Sequence, residues 1–375
     1  MPERGRTWAV IAGGGTAGHA VPAVAVGQAL VRRGHAPGTI HFLGSTRGPE
    51  GAMARDAGFS ATLLPGRGLN ERRMTAANLR AAGGLSTAMA MAVTILARRR
   101  PRVVLSVGGF AALPGAMAAG TLRLPLVLAE SNIVPGDANR LAARFASASA
   151  VQFEGTPLPH AVVTGNPVRD AILAVDRTPE GREQARRSLG LPADATVVAA
   201  FGGSLGSRRI NHAVYGLVEQ WAGRAGVAVR HAVGHRDWAA DEPARPAPAP
   251  GGVVYQAVEY EHRMPELLAA ADVMVCRAGG STLAELGIAG LPAILVPLPI
   301  ATADHQMANA RAVERLAAAA VVPDAELDAD RLARELEPLV ADAARRGAMG
   351  TAMAGFGHPD AADRVAELME LHARP

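Results

Sequence analysis

The sequence predicts an α/β protein of two doubly wound, parallel-sheet domains. Short apolar runs alternate with helical patterns from Thr7 onward, the alternation halts near Gly165-Asn166-Pro167 and restarts at Thr196, and four of the apolar runs end in a glycine pair. Strands separated by crossover helices make parallel sheets with right-handed connections. At 375 residues the chain also exceeds what one hydrophobic core holds, roughly 250 to 300 residues.

In the first half the expected strands are Thr7 to Ala12, Thr39 to Leu43, Ala61 to Leu64, Val103 to Ser106 and Pro125 to Leu128, with helical patterns reaching Arg33, Ala57 and Arg100 between them. A helix announced by Thr178 and Pro179, residue types of the N-cap and first turn, should close at Gly190. Thr196 to Phe201 opens the second half, and Ala239 to Gly252, rich in Ala, Pro and Gly, reads as a flexible surface insertion. Val273 to Cys276 is a strand that stops at Arg277. A tight loop then starts a helix with Leu283, Leu286 and Ala289 on one face, ended by Gly290. Ala293 to Val296 is the next strand, and Asp304-His305-Gln306 opens another helix. Val365, Leu368, Met369 and Leu371, after Pro359, predict a closing helix. The expected division is residues 1–165, residues 166–350, and a helix within 351–375 that packs back on the first domain.

Composition narrows the function. With 49% hydrophobic and 19% charged residues the chain is not a disordered one. Its +4 charge rests on arginine alone, lysine being absent, and no basic patch is interleaved with aromatics, so a nucleic-acid partner is not expected. Cys276, the single cysteine, reads as a small core hydrophobe, and no Cys/His spacing suggests zinc. The longest apolar run, Leu85 to Ala97, falls short of the ~20 residues that span a bilayer, and no signal-peptide core follows Arg4 and Arg6. A cytoplasmic protein is expected. Between Pro65 and Leu85, however, Arg67, Arg72, Arg73 and Arg80 alternate with Leu69, Met74 and Leu79, a mixture suited to an anionic leaflet or to a solvated loop and helix.

The glycine pairs are Gly13-Gly14, Gly108-Gly109, Gly202-Gly203 and Gly279-Gly280, each able to let a backbone approach a phosphate or a sugar. Gly13 to Gly18 satisfies G-x-G-x-x-G, yet the second strand ends in Gly44-Ser45-Thr46-Arg47 without the acid that holds a dinucleotide ribose. His19, next in line, suits a proton acceptor or a packing role. Asn132 suits a ligand hydroxyl or a turn. Ser204 and its neighbours suit a diphosphate at a helix start or a plain strand-to-helix turn. Glu285, one turn into the helix after Gly280, can accept hydrogen bonds from a ribose diol. Asp328-Ala329-Asp330 matches a metal-binding D-x-D, but Asp328 reads better as an N-cap.

Together GGTAGH (Gly14 to His19), GGFAALPG (Gly108 to Gly115), ESN (Glu130 to Asn132), GNPVR (Gly165 to Arg169), GGSLGSRRIN (Gly202 to Asn211), CRAGGSTLAE (Cys276 to Glu285) and DHQ..NA (Asp304 to Ala310) resemble the MurG family of bacterial N-acetylglucosamine transferases. The resemblance covers nearly the whole chain. It implies a GT-B architecture, two Rossmann-like domains facing each other across a cleft, and an inverting, metal-independent transfer without a cofactor. The implied donor is UDP-N-acetylglucosamine, and the implied acceptor is the lipid-linked muramoyl-pentapeptide (lipid I) at the cytoplasmic face of the membrane. Carried over by position, the donor would meet Thr16, Ala17, Gly18, Asn132, Arg169, Ser204, the backbone near Glu261, the segment Gly280, Ser281, Thr282, Leu283, Ala284 and Glu285, and His305 with Gln306. Glu285 would hold the ribose, Ser204 and Arg169 the diphosphate, and Gln306 with Asn132 the sugar hydroxyls. His19 is the candidate base and Glu130 the second choice. Ser131 stands where the family usually has Gln, Ala129 where it often has His, and Glu261 where it has an apolar residue. A UDP-N-acetylglucosamine 2-epimerase and a non-catalytic donor-binding subunit of a two-chain transferase are the alternative readings.

Overall fold

The computed structural model describes residues 7–65, 76–109, 111–203, 205–247 and 251–375, with backbone alone for 76–83 and Thr302. The chain divides into two compact units. The first comprises Met1–Arg169 with His358–Pro375, and the second Asp170–Gly357, so the divisions fall a few residues beyond 165 and 351.

In the first unit, β1 (Ala9–Gly14), β2 (Ile40–Ser45), β3 (Ser60–Leu64), β4 (Val103–Gly109), β5 (Leu126–Glu130), β6 (Ala148–Val151) and β7 (Ala161–Val163) form one sheet in the order β3-β2-β1-β4-β5-β6-β7. Every pairing is parallel. Helices α1 (Ala17–Arg32), α2 (Glu50–Asp56), α3 (Ala76–Arg99), α4 (Ala112–Thr121) and α5 (Asp137–Ala142) connect the strands. Side chains alternate across the sheet, which explains the apolar continuity of β1. Ala9 and Ile11 enter a core with Val26 and Leu30 of α1, whereas Val10 and Ala12 enter a second core with Ala92 and Leu96 of α3 and Ala116 of α4.

The second unit begins with α6 (Asp170–Leu173) and α7 (Pro179–Leu189). Its strands β8 (Thr196–Phe201), β9 (Val227–Ala232), β10 (Val254–Val258), β11 (Val273–Cys276), β12 (Ala293–Leu295) and β13 (Ala319–Val321) pair in the order β10-β9-β8-β11-β12-β13, again all parallel. The helices are α8 (Arg208–Gln220), α9 (Met264–Ala270), α10 (Gly280–Ala289), α11 (His305–Glu314), α12 (Ala329–Ala341) and α13 (Ala343–Phe356). Helix α14 (Ala361–His372) returns to the first unit, where Val365, Ala366 and Met369 join the core of β1 and α1. Among the described residues no helix is long and apolar enough to cross a membrane.

Local chemistry accounts for the helix ends. Thr178 Oγ1 accepts the Gly181 N–H at 3.1 Å, Pro179 takes the first helical position, and Gly190 closes α7 in the left-handed region at φ 68°. Asp328 caps α12 by accepting the Arg331 N–H at 2.7 Å. The segment Ala239 to Gly252 is mostly exposed among its described residues but holds one buried side chain. Residues 239–247 carry a 3-10 turn (Glu242–Ala244), and Asp241 is 5% exposed, with Asn211 Nδ2 donating to it at 3.3 Å. Composition hid one polar side chain whose partner lies on α8. The sequence pattern also passed over β9 and β10, of six and five residues, and over β6, β7 and β13, which at three or four residues are too short to show a period.

Candidate functional site

Sheet order brings the glycine pairs together two by two. In each unit the strand order reverses between adjacent strands, β1 and β4 in the first and β8 and β11 in the second. Open α/β sheets bind ligands in the crevice outside such a switch point. Gly13-Gly14 ends β1 and Gly108-Gly109 ends β4, while Gly202-Gly203 follows β8 and Gly279-Gly280 follows β11.

In the first unit the strands run through their glycines, and Gly14 is registered opposite Gly109. A Cβ on Gly109 would lie 1.9 Å from the Gly14 carbonyl oxygen, and Gly109 itself takes φ 80°, so only glycine fits there. His19 stands on the first turn of α1, half-buried against this pair. Its Nδ1 lies 3.0 Å from Thr16 Oγ1, and Thr16 is the N-cap residue of α1 but does not cap it with its side chain. Ala17 and Gly18 are exposed between them. Glu130, at the end of β5, is 8% exposed. Its Oε1 accepts the Asn132 N–H at 3.0 Å and Asn132 Nδ2 at 2.9 Å. Its Oε2 accepts the Gly136 N–H and Asn139 Nδ2, both at 3.0 Å. Four donors fill the acceptor positions of this carboxylate, which makes Glu130 the organiser of the loop that carries Asn132 rather than a proton acceptor. Arg169 is exposed at the end of the unit.

In the second unit the loops, not the strands, carry the glycines. Gly203 and Gly206 take φ 97° and 87°; Ser204 lies outside the described residues. Ser207 caps α8 by accepting the Ile210 N–H at 3.4 Å. The guanidinium of Arg277, just after β11, donates to Ser207 Oγ at 2.6 Å and to the carbonyls of Val296 and Pro297 at 3.0 and 3.1 Å, and pairs with Asp324 at 2.7 Å. One cation thus fastens the loops after β8, β12 and β13. Helix α10 begins at Gly280 with no side-chain cap. Leu283 and Ala284 are buried, while Ser281, Thr282 and Glu285 lie partly exposed. The start of α11 is fixed at three points. Ala303 and Asp304 take left-handed φ values of 51° and 52°, a strain for residues with a Cβ. Gln306 Oε1 accepts the Leu298 N–H at 3.0 Å, and the buried Asn309 donates to Ala278 O at 3.1 Å. His305, the first residue of α11, is partly exposed.

Glu261 is the departure that the structure explains. It is buried, Arg230 Nε of β9 donates to its Oε2 at 2.6 Å, and its Oε1 accepts the Arg263 N–H at 2.9 Å. A paired cation satisfies the carboxylate where an apolar side chain would otherwise pack. Cys276 is fully buried, and that burial raises its thiol pKa, so it is an inert core residue. Sequence reasoning gave no role to Arg277, although a cation abruptly ending an apolar strand was visible. It also missed Asn139 and Glu50, whose partners are fixed only by the fold.

Two doubly wound units, each with paired glycine loops at its switch point, define the GT-B architecture. The N-terminal domain of glycosyltransferase family 28 matches residues 9–151 and its C-terminal domain residues 197–365. The chain belongs to glycosyltransferase family 28. A UDP-N-acetylglucosamine–N-acetylmuramyl-(pentapeptide) pyrophosphoryl-undecaprenol N-acetylglucosamine transferase of Acidothermus cellulolyticus is 42% identical over 364 residues, 97% of each chain. The crystal structure of MurG from Acinetobacter baumannii is similar with a TM-score of 0.74 at 25% identity, covering 97% of this chain and 99% of that one. A UDP-N-acetylglucosamine 2-epimerase from Neisseria meningitidis, at 12% identity and a TM-score of 0.66 over 97% and 99% of the chains, shares the fold alone.

Proposed function

We propose that the chain transfers N-acetylglucosamine from its UDP donor to the 4-hydroxyl of the muramoyl sugar of the pyrophosphoryl-undecaprenol-linked pentapeptide, with inversion. The observation that carries this reading is likeness over 97% of both chains to a transferase of that name, with all four glycine pairs placed at switch points. The acceptor hydroxyl attacks the anomeric carbon, the bond from that carbon to the diphosphate breaks, and UDP leaves. His19 takes the hydroxyl proton. With Nδ1 protonated and donating to Thr16 Oγ1, Nε2 is the basic nitrogen. Glu130 positions Asn132 toward the sugar. The diphosphate charge falls to the start of α8 with Ser204 and to Arg169, and Glu285 holds the ribose. Glu261 contributes its backbone, since its side chain is spent on Arg230. Ser281, Thr282 and the start of α10 face the nucleoside, and His305 with Gln306 face the sugar.

The test is turnover by the purified chain with labelled donor and a short-chain acceptor analogue. Acceptor-dependent product with one UDP released per transfer is expected. Donor isomerised without acceptor, as in 2-epimerase chemistry, or turnover only after a second chain is added, would overturn the reading. We further propose peripheral attachment to the anionic cytoplasmic face through residues 65–85, where Arg72 and Arg73 lie outside the described residues. Sedimentation with anionic vesicles should fall when both become Glu, and unchanged sedimentation would refute the attachment site.

A further inference from the structure

Glu50 belongs to no step of this chemistry, yet it is buried at 3% exposure directly behind the first glycine loop. It opens α2, and its carboxylate reaches in two directions. Oε2 accepts the Gly15 N–H at 3.0 Å, a bond spanning 35 residues, and Oε1 accepts the N–H of Ser45 at the end of β2. Three glycines make room for it. A Cβ on Gly14 would come within 2.1 Å of Glu50 Cδ, one on Gly44 within 2.6 Å of Cγ, and one on Gly48 within 1.9 Å of Oε2. The cavity is therefore shaped to a carboxylate, and what the carboxylate holds is the residue before Thr16, the hydrogen-bond partner of His19.

We propose that Glu50 is a positioning residue for the transfer: by clamping Gly15 to the end of β2 it sets the height and rotation of the Thr16–His19 turn, and so the aim of the His19 base. This rests on the reading of His19 given above. A buried carboxylate bridging two backbone N–H groups ties the loop to β2, so the loop loses this anchor when the carboxylate is removed. Misplacement of a reacting group by about 1 Å costs on the order of 10²-fold in rate.

Glu50→Gln keeps the volume but presents an amide N–H₂ to one of the two backbone donors. In the full chain it should lower kcat by about 10 to 10² while UDP affinity, measured by calorimetry, changes less than about twofold. In a His19→Ala background the same substitution should cost little more, because the two residues act on one step. Full additivity of the two losses, or a UDP affinity that falls along with kcat, would overturn the proposal. Amide exchange on the wild-type chain gives a reading that needs neither a variant nor turnover. The Gly15 N–H, on an exposed residue, should exchange far more slowly than a free loop amide, and exchange at the free rate would show that no clamp exists. Failure of the wild-type chain to transfer at all would instead overturn the function and leave the clamp standing.

Discussion

The two switch points are built from the same parts with opposite polarity. In the first unit carboxylates do the fastening, since Glu50 and Glu130 accept backbone N–H groups of the loops around them. In the second unit a guanidinium does it, with Arg277 donating to the carbonyls of Val296 and Pro297 and to the cap of α8. The first arrangement consumes N–H donors and fixes the loop residue before Thr16 and the loop that carries Asn132. The second leaves the start of α10 without a side-chain cap and neutralises its one fastening cation against Asp324. The glycines differ in the same sense. Gly14 and Gly109 close against each other inside paired strands, whereas Gly203 and Gly206 lie in a loop free of the ladder.

The sharpest way to break this contrast is to remove the base. His19→Ala should lower kcat by about 10² to 10⁴, the range of a positioned general base, with UDP affinity nearly unchanged. A variant that melts normally and keeps near-normal kcat at saturating substrates would take the base function from the first switch point.

Acid should weaken both units through histidines buried neutral. His41 on β2 lies between Ser60 Oγ at 2.8 Å and Thr62 Oγ1 at 2.9 Å, and burial, reinforced by Arg99, lowers its pKa to about 4. His231 on β9 lies between Tyr255 OH at 3.1 Å and Asn211 Oδ1 at 3.0 Å, and burial, reinforced by Arg245, lowers its pKa to about 3. Both folded values lie below the unfolded value of about 6.5. The unfolded chain therefore binds protons first, and stability is lost as pH falls below about 6.5, by about 1.4 kcal/mol per pH unit for each histidine until its folded pKa is reached. Urea unfolding between pH 7 and 5 measures the slope, and His41→Gln should flatten the first unit's share. A slope that His41→Gln leaves unchanged would mean that His41 binds its proton as readily in the folded chain as in the unfolded one.

Glu285→Ala probes the other switch point. Loss of a charged hydrogen bond to ribose should weaken UDP by roughly 1.5 to 3 kcal/mol, with kcat at saturating donor little changed. Unchanged UDP affinity by calorimetry would remove Glu285 from the site.

What the sequence disclosed and what it withheld divide along sequence distance. Glycine pairs at strand ends, the Thr178-Pro179 start and Gly190 stop of α7, and the apolar face of α10 are local signals, and each stands where its residues put it. Which glycine pairs meet was not local, because it follows from strand order. The fasteners were hidden for the same reason: Gly15 and Glu50 are 35 residues apart, and Ser207 and Arg277 are 70 apart. At Glu130 three of the four donors are near in sequence and the fourth, Asn139 Nδ2, is brought in by α5. In the insertion, a composition of Ala and Pro outweighed Asp241, which is buried and bonded by Asn211 of α8.

The smallest expected effect is that of replacing Arg230 and Glu261 together, and it separates what the second unit needs for binding from what it needs for folding. Their side chains are 7% and 3% exposed, so removing one leaves a desolvated charge, and Glu261→Leu alone should destabilise by about 3 to 5 kcal/mol. Replacing both, as Arg230→Met with Glu261→Leu, removes the two desolvation costs together with the attraction. The remaining partners have other outlets. Gln256 Oε1, which accepts from Arg230 Nη1 at 2.9 Å, and the Arg263 N–H, which donates to Glu261, are only partly buried and within reach of water. The double variant should therefore melt within about 1 kcal/mol of the parent, and because only the backbone at 261 is assigned to the nucleobase, its UDP affinity should change less than about threefold. A stable double variant that has lost UDP binding would show that the Glu261 carboxylate itself belongs to the donor site, and that the second switch point, like the first, uses a buried acid.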